Sequence, residues 1–146
     1  MDALVALLAP GFKESNWCDQ EVGVAIGRQL PIISVRQGLD PYGFIGKYQA
    51  VQGVGKTAVQ LAKEIFTLFI TNPIIGPKIT DALVKLLADS YSFDRSKTLI
   101  GYIKQSNFLN SKHVTAMKEA VKNNSQVNGS WGVPEQITRL AKQIES

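Results

Sequence analysis

The stretch Ala3-Leu4-Val5-Ala6-Leu7-Leu8-Ala9, stopped by Pro10-Gly11, constrains the fold of this chain more than any other feature. An uncharged apolar run of strand length, with no polar residue alternating through it, marks a strand buried on both faces of a parallel sheet. A buried turn of helix is the competing reading, and the residues that follow favour the strand. Ser15 or Asn16 is placed to cap a helix in which Cys18, Val22, Ala25 and Ile26 recur at helical spacing. Pro31-Ile32-Ile33-Ser34-Val35-Arg36 is then a second β-branched run, closed by Gly38 and Asp40-Pro41. Strand, helix and strand in so short a span form a βαβ unit, whose crossover is right-handed with the helix on one sheet face.

Between Gly38 and Gly55 the glycines predict a loop, with a short helix around Phe44 to Ala50. Lys56 to Thr71 carries Val59, Ala62, Ile65, Phe66 and Phe69 on one face and predicts an amphipathic helix ending before Asn72-Pro73. Asn72 to Pro77, with two prolines and Gly76, is the expected boundary between residues 1–72 and 73–146. Beyond it the pattern is helical. Lys78 to Ala88 turns Ile79, Leu83, Leu86 and Leu87 inward; Asp94 to Lys104 turns Leu99, Tyr102 and Ile103. Ser111 to Asn123 follows with Val114, Met117 and Val121, and Pro134 to Ile144 with Ile137, Leu140, Ala141 and Ile144. Four short helices predict a small bundle, or an appendage on the α/β part. Trp131, in Gly129-Ser130-Trp131-Gly132, reads as a core anchor, and His113, among Ser111, Lys112 and Thr115, as a surface histidine.

Composition narrows the function classes. The 146 residues are 45% hydrophobic and 19% charged, which is ordinary for a globular chain. The longest apolar run is far short of the roughly 20 residues of a membrane-spanning helix. It follows Asp2, with no basic segment before it and no small-residue cleavage site after it, so it does not read as a signal peptide and the expected location is cytoplasmic. One cysteine and one histidine leave no set of residues at metal-ligand spacing, so neither a metal nor a resident cofactor is expected. The net charge of +4 is spread over scattered lysines and arginines without aromatic interleaving, so nucleic acid is not an expected partner. Gly53-Val54-Gly55-Lys56-Thr57 ends like a phosphate-binding loop, but Ala50 stands where that motif needs glycine, and no Val/Ile-rich strand is seen to lead into it.

The chemistry-bearing segment is Pro10-Gly11-Phe12-Lys13-Glu14-Ser15-Asn16-Trp17-Cys18-Asp19-Gln20-Glu21. Ligands of open α/β sheets bind beyond the carboxyl ends of the strands, where the helix after a strand begins. Trp17 and Glu21 are one turn apart on that helix, so an indole and a carboxylate can border one pocket. The bland reading is equally concrete. A glutamate early in a helix is favoured by the helix dipole alone, and Trp17 and Cys18 at a helix start are ordinary packing residues.

Ser15, Trp17, Cys18 and Glu21 match the S-x-W-C-x-x-E pattern of TIR (Toll/interleukin-1 receptor) domains of bacteria and plants. Pro31 to Arg36 resembles the next strand of that family. Asp40-Pro41-Tyr42-Gly43-Phe44 with Gln49-Ala50 resembles the loop and helix that follow it. The resemblance covers the first third of the chain well, and the Lys56 to Thr71 helix less closely. It implies an α/β fold with part of a flavodoxin-like parallel sheet, corresponding to the second half of a TIR domain, followed by an all-helical region. It also implies NAD+ as substrate, hydrolysed or cyclised, with Glu21 as the catalytic carboxylate and Trp17 and Ser15 in substrate binding.

A complete TIR domain begins with a strand, a helix and a second strand that have no counterpart here. A sheet without them exposes an apolar edge and face. A gene fragment, a split protein completed by another chain, and a module whose C-terminal helices cover the gap are the three explanations. Two functions are therefore expected: an NAD+-consuming domain of a bacterial defence or signalling protein, or a non-catalytic module that associates with other TIR domains or with itself. A nucleic-acid-binding helical protein is the third reading, and it predicts steeply salt-dependent binding.

Overall fold

The computed structural model describes all residues from Met1 to Ser146. The chain divides into two compact units, Met1–Ile75 and Gly76–Ser146, the division falling inside the Asn72 to Pro77 segment.

The first unit is α/β. Its strands β1 (Leu4–Leu8), β2 (Ile32–Arg36) and β3 (Ala50–Gln52) form one parallel sheet in the order β1-β2-β3. Between β1 and β2 runs α1 (Asn16–Gly27), and after β3 comes α2 (Ala58–Ile70). Period-two alternation divides the strand side chains between the two faces. Ala6, Leu8 and Ile32 pack with Val22 and Ala25 of α1 and with Ile45. Ile33, Val35 and Val51 pack with Leu61, Ile65, Leu68 and Phe69 of α2 on the opposite face. The register aligns Ala6, Ser34 and Ala50, a row of small side chains on the face that packs with α1. Leu8 and Val35 are fully buried, each worth about 1.5–3 kcal/mol of transfer free energy.

Three expectations for this unit are corrected. β1 is buried on one face only, because α2 covers β2 and β3 and leaves Val5 and Leu7 of β1 36% and 53% exposed. The Gly38 to Gly55 segment holds a 3-10 turn over Gly43–Lys47 and the strand β3, so a strand does lead into Gly53-Val54-Gly55-Lys56-Thr57. At three residues and with only Val51 β-branched, β3 leaves almost no periodic trace. The inner face of α2 is Leu61, Ile65, Leu68 and Phe69, whereas Val59 is 65% exposed and Ala62 is exposed. The two glycine-rich-loop residues are already engaged. Lys56 Nζ pairs with Glu64 Oε2 at 2.6 Å, and Thr57 forms a reciprocal capping box with Gln60.

The second unit is helical: α3 (Gly76–Ala88), α4 (Phe93–Ile103), α5 (Ser111–Asn123), α6 (Ser125–Asn128) and α7 (Val133–Glu145). α3 packs on α4 and α5, and α5 on α7. Leu87, Ile100, Ile103, Met117, Val127, Val133 and Ile137 are almost completely buried. Five helices replace the expected four, because α6 is a single turn that Asn124 caps through Gln126 N–H. Its surroundings are held by buried hydroxyls and an amide. Ser96 Oγ lies 2.8 Å from Ser90 Oγ and 2.9 Å from the Gln126 carbonyl, and Asn124 Nδ2 donates to the carbonyls of Ala88 and Ser90.

Here too the structure overturns residue-level expectations. Trp131 is 88% exposed and anchors no core; its neighbour Ser130 is the buried one, donating to the Phe93 carbonyl at 2.8 Å. Leu86 is 41% exposed. His113 is buried at 8% exposure: its Nδ1 accepts from Asn110 N–H at 3.1 Å, and its Nε2 lies 2.7 Å from Asp81 Oδ1. Asn110 Oδ1 accepts in return from His113 N–H, so the ring completes a capping box at the start of α5.

Candidate functional site

The site expected from sequence lies on α1. Ser15 is the N-cap of the helix, in extended backbone conformation, and its hydroxyl oxygen accepts from Cys18 N–H at 3.4 Å. The serine that the sequence marked for substrate thus holds the helix start that carries the other two residues. Val22 and Ala25 are the face of α1 turned into the core, and Cys18 is half-buried beside them. Residues four apart on a helix stand on one side, so Trp17 and Glu21 share a flank of α1, with Val24 three residues beyond. All three are in solvent, Trp17 at 77% and Val24 at 49% exposure. Glu21 lies about 8 Å of helix rise past Asn16, on a helix that leaves the carboxyl end of β1.

The recess beside α1 is elsewhere. Residues two apart on a helix point about 200° apart, so Asp19 faces away from Glu21. On the Asp19 side a cavity of about 320 Å³ is lined by Asp19, Val22, Gly23, Tyr42, Phe44 and Ile45. Neither Trp17, Glu21 nor Ser15 borders it.

Tyr42 organises this cavity. Its hydroxyl donates to Asp19 Oδ1 at 3.2 Å, its ring meets Phe12 edge-on with centroids 6.5 Å apart, and Lys13 Nζ stands 4.9 Å from its centroid. Three loop or helix segments therefore converge on one phenol at the carboxyl end of the sheet. Burial, and next the negative charge of Asp19, hold the Tyr42 phenol above its ordinary pKa of 10.0. Phe44, 76% exposed, stands on the rim.

No protein-family model, curated protein or solved structure matches this chain. Function has to be read from the side chains themselves.

Chemically, α1 offers two different faces. The Trp17–Glu21 flank presents an aromatic plane and a carboxylate with no enclosing wall, able to meet a ligand or a second protein that supplies the rest. The Asp19–Tyr42 side is a walled apolar recess with a neutral phenol and a carboxylate at its rim, a combination suited to hydroxyl-bearing ligands. Sequence reasoning missed this recess because Asp19 and Tyr42 are 23 residues apart and meet only through the fold. Asp40-Pro41 and Gly43, which break the chain on either side of Tyr42, were the available signal. No three His, Cys, Asp or Glu side chains stand together in a metal-binding group, and no helix is long and apolar enough to cross a membrane.

Proposed function

We propose that residues 1–72 are part of a TIR-type NAD+-cleaving domain, flavodoxin-like in its sheet, acting in bacterial defence or signalling in the cytoplasm. The observation that carries this reading is the segment Ser15-Asn16-Trp17-Cys18-Asp19-Gln20-Glu21, opening a helix that leaves the carboxyl end of a parallel strand. Cleavage of the nicotinamide–ribose bond develops oxocarbenium character at the ribose, and a fixed carboxylate stabilises that charge or orients the ribose hydroxyls. In this reading Glu21 is that carboxylate, Trp17 provides an aromatic wall one turn away, and Ser15 fixes the helix start. Because the Trp17–Glu21 flank is open to solvent, the pocket is completed by a further protein surface, from a second copy or from another TIR domain.

The test is NAD+ loss, followed by chromatography, for the concentrated chain beside its Glu21→Ala variant. Removal of a group that stabilises transition-state charge is expected to cost about 10²–10³-fold in turnover. Equal turnover in both proteins would remove Glu21 from the mechanism. No turnover in either would favour the second reading, a non-catalytic TIR-derived interaction module. One observation supports that alternative: the apolar strand β1 has its outer edge unpaired and Val5 and Leu7 in solvent.

A further inference from the structure

The recess beside α1 takes its walls from two segments of the chain. Asp19, Val22 and Gly23 come from α1, and Tyr42, Phe44 and Ile45 from the segment between β2 and β3. Val22 and Ile45 supply buried hydrocarbon, and Tyr42 and Phe44 supply two aromatic rings. Gly23 keeps the space open. It stands one turn after Asp19 on the same flank of the helix, and a Cβ built on it meets no atom within 4 Å. Glycine weakens a helix interior, and nothing packs closely enough against this one to demand it. What the missing side chain leaves is volume. The recess measures about 320 Å³, the room of about ten waters at about 30 Å³ each, and lies at the small end of ligand pockets.

The polar side chains that line it are of one kind. The Tyr42 hydroxyl donates its one hydrogen to Asp19 Oδ1 at 3.2 Å, so both groups offer only acceptor lone pairs to anything that enters. Asp19 takes part in no ion pair, and its other carboxylate oxygen has no protein partner. No lysine, arginine or histidine lines the recess. Lys13 Nζ stands 4.9 Å from the centre of the Tyr42 ring, outside the lining and unpaired with Asp19, so this ring already receives a cation.

Acceptors, one uncompensated negative charge and two rings disfavour an anion and favour a donor that carries positive charge. A hydroxyl can meet the same acceptors, but it leaves the charge of Asp19 unanswered. An ammonium group answers both and gains from the rings. We infer that the recess binds a small organic amine in its ammonium form, the nitrogen at Asp19 and Tyr42 and a ring-sized apolar body against Val22, Gly23 and Ile45. Phe44, 76% exposed on the rim, is the side chain free to lie against that body. The inference does not rest on NAD+ cleavage, since neither Trp17 nor Glu21 borders the recess.

The probe is phenethylammonium, titrated into the isotope-labelled full chain and followed by the backbone amide resonances. Two shape analogues accompany it, neutral phenethyl alcohol and anionic phenylpropionate. The ammonium is expected to bind in the millimolar range, with shifts centred on Val22, Gly23 and Ile45. The alcohol should bind about five- to tenfold more weakly and the carboxylate more weakly still, the small factor reflecting an exposed charge. Asp19→Asn keeps an acceptor for the Tyr42 hydroxyl and removes the charge. It should cost the ammonium the same factor and leave the alcohol unchanged. Gly23→Leu puts a better helix former into the open space and should abolish binding of both, with the circular dichroism of the parent chain retained. Equal affinity for ammonium and alcohol in the parent chain overturns the inference, as does an Asp19→Asn chain that binds the ammonium undiminished. Shifts centred on Trp17, undiminished binding by Gly23→Leu, or no shifts at tens of millimolar probe overturn it as well.

Discussion

Gly53 is where the turn from β3 into α2 admits the least change. A Cβ built there stands 2.8 Å from the Arg36 carbonyl oxygen, 2.8 Å from Val35 Cγ1 and 2.5 Å from Gln37 Nε2. Gln37 is the end of a flexible side chain and can swing away. The other two atoms belong to β2, where Val35 is fully buried, and Gly53 N–H itself donates to that Arg36 carbonyl at 2.8 Å. Gly53→Ala must therefore push β3 off β2 at its last ladder bond. Overpacking costs about 1–3 kcal/mol and a weakened hydrogen bond about 1 kcal/mol, so about 2–4 kcal/mol is expected. Gly55 is the control: its φ is +82° with nothing within 4 Å of a Cβ, so Gly55→Ala meets only the left-handed backbone penalty, about 1–2 kcal/mol. Hydrogen exchange of the Ile32 to Arg36 amides, read by mass spectrometry, separates the two. At a tenfold change per 1.4 kcal/mol, Gly53→Ala is expected to accelerate exchange about 30–700-fold and Gly55→Ala about 5–30-fold. Gly53→Ala exchanging no faster than Gly55→Ala would refute the close approach of β2 and the turn.

The helical unit offers a parallel test at His113. His113→Ala removes the acceptor for Asn110 N–H and the partner of Asp81, and is expected to cost about 1–2 kcal/mol in calorimetry, whereas His113→Gln, the usual capping-box partner, recovers most of it. Equal losses in both variants would place the effect outside the cap. Tyr42 governs an alkaline limb. Its folded pKa lies above 10.0, so its contribution is whole below pH 10 and is lost as pH rises through the raised value. An ultraviolet titration should show the phenol ionising late in the folded chain, with Tyr42→Phe lacking that step; ionisation at the unfolded value would remove the Asp19 contact from the account.

What was legible in the sequence tracked how far each signal reached. The first βαβ could be read because Leu4 to Leu8, Ser15 and Ile32 to Arg36 each state their role within a few residues, and α5 came out at its observed bounds for the same reason. β3 could not, since its strand character lies in three residues and in the register Ser34–Ala50 and Val35–Val51. Exposure was the weaker inference throughout. Val59, Leu86 and Trp131 are apolar, yet whether an apolar residue is covered depends on which element lies opposite, and periodicity does not name that element.

The same limit governs the site. Residues close in sequence, Ser15, Trp17 and Glu21, were easily grouped because a helix brings every fourth residue to one side, but a shared flank is not an enclosure. The recess around Tyr42 has walls because it gathers Asp19 and Val22 of α1 and Tyr42 and Ile45 of the segment after β2, with Phe12 meeting the Tyr42 ring from outside it, and no short pattern encodes that meeting. Both carboxylates of α1 are exposed: Glu21, favoured by resemblance, stands on an open flank, while Asp19, favoured by geometry, stands on the far side of the same helix at the rim of the recess, where it accepts from the Tyr42 hydroxyl. An Asp19→Asn chain beside the Glu21→Ala chain separates the two faces: catalysis on the Trp17–Glu21 flank leaves Asp19→Asn active, and chemistry in the recess makes Asp19 the residue that cannot be spared.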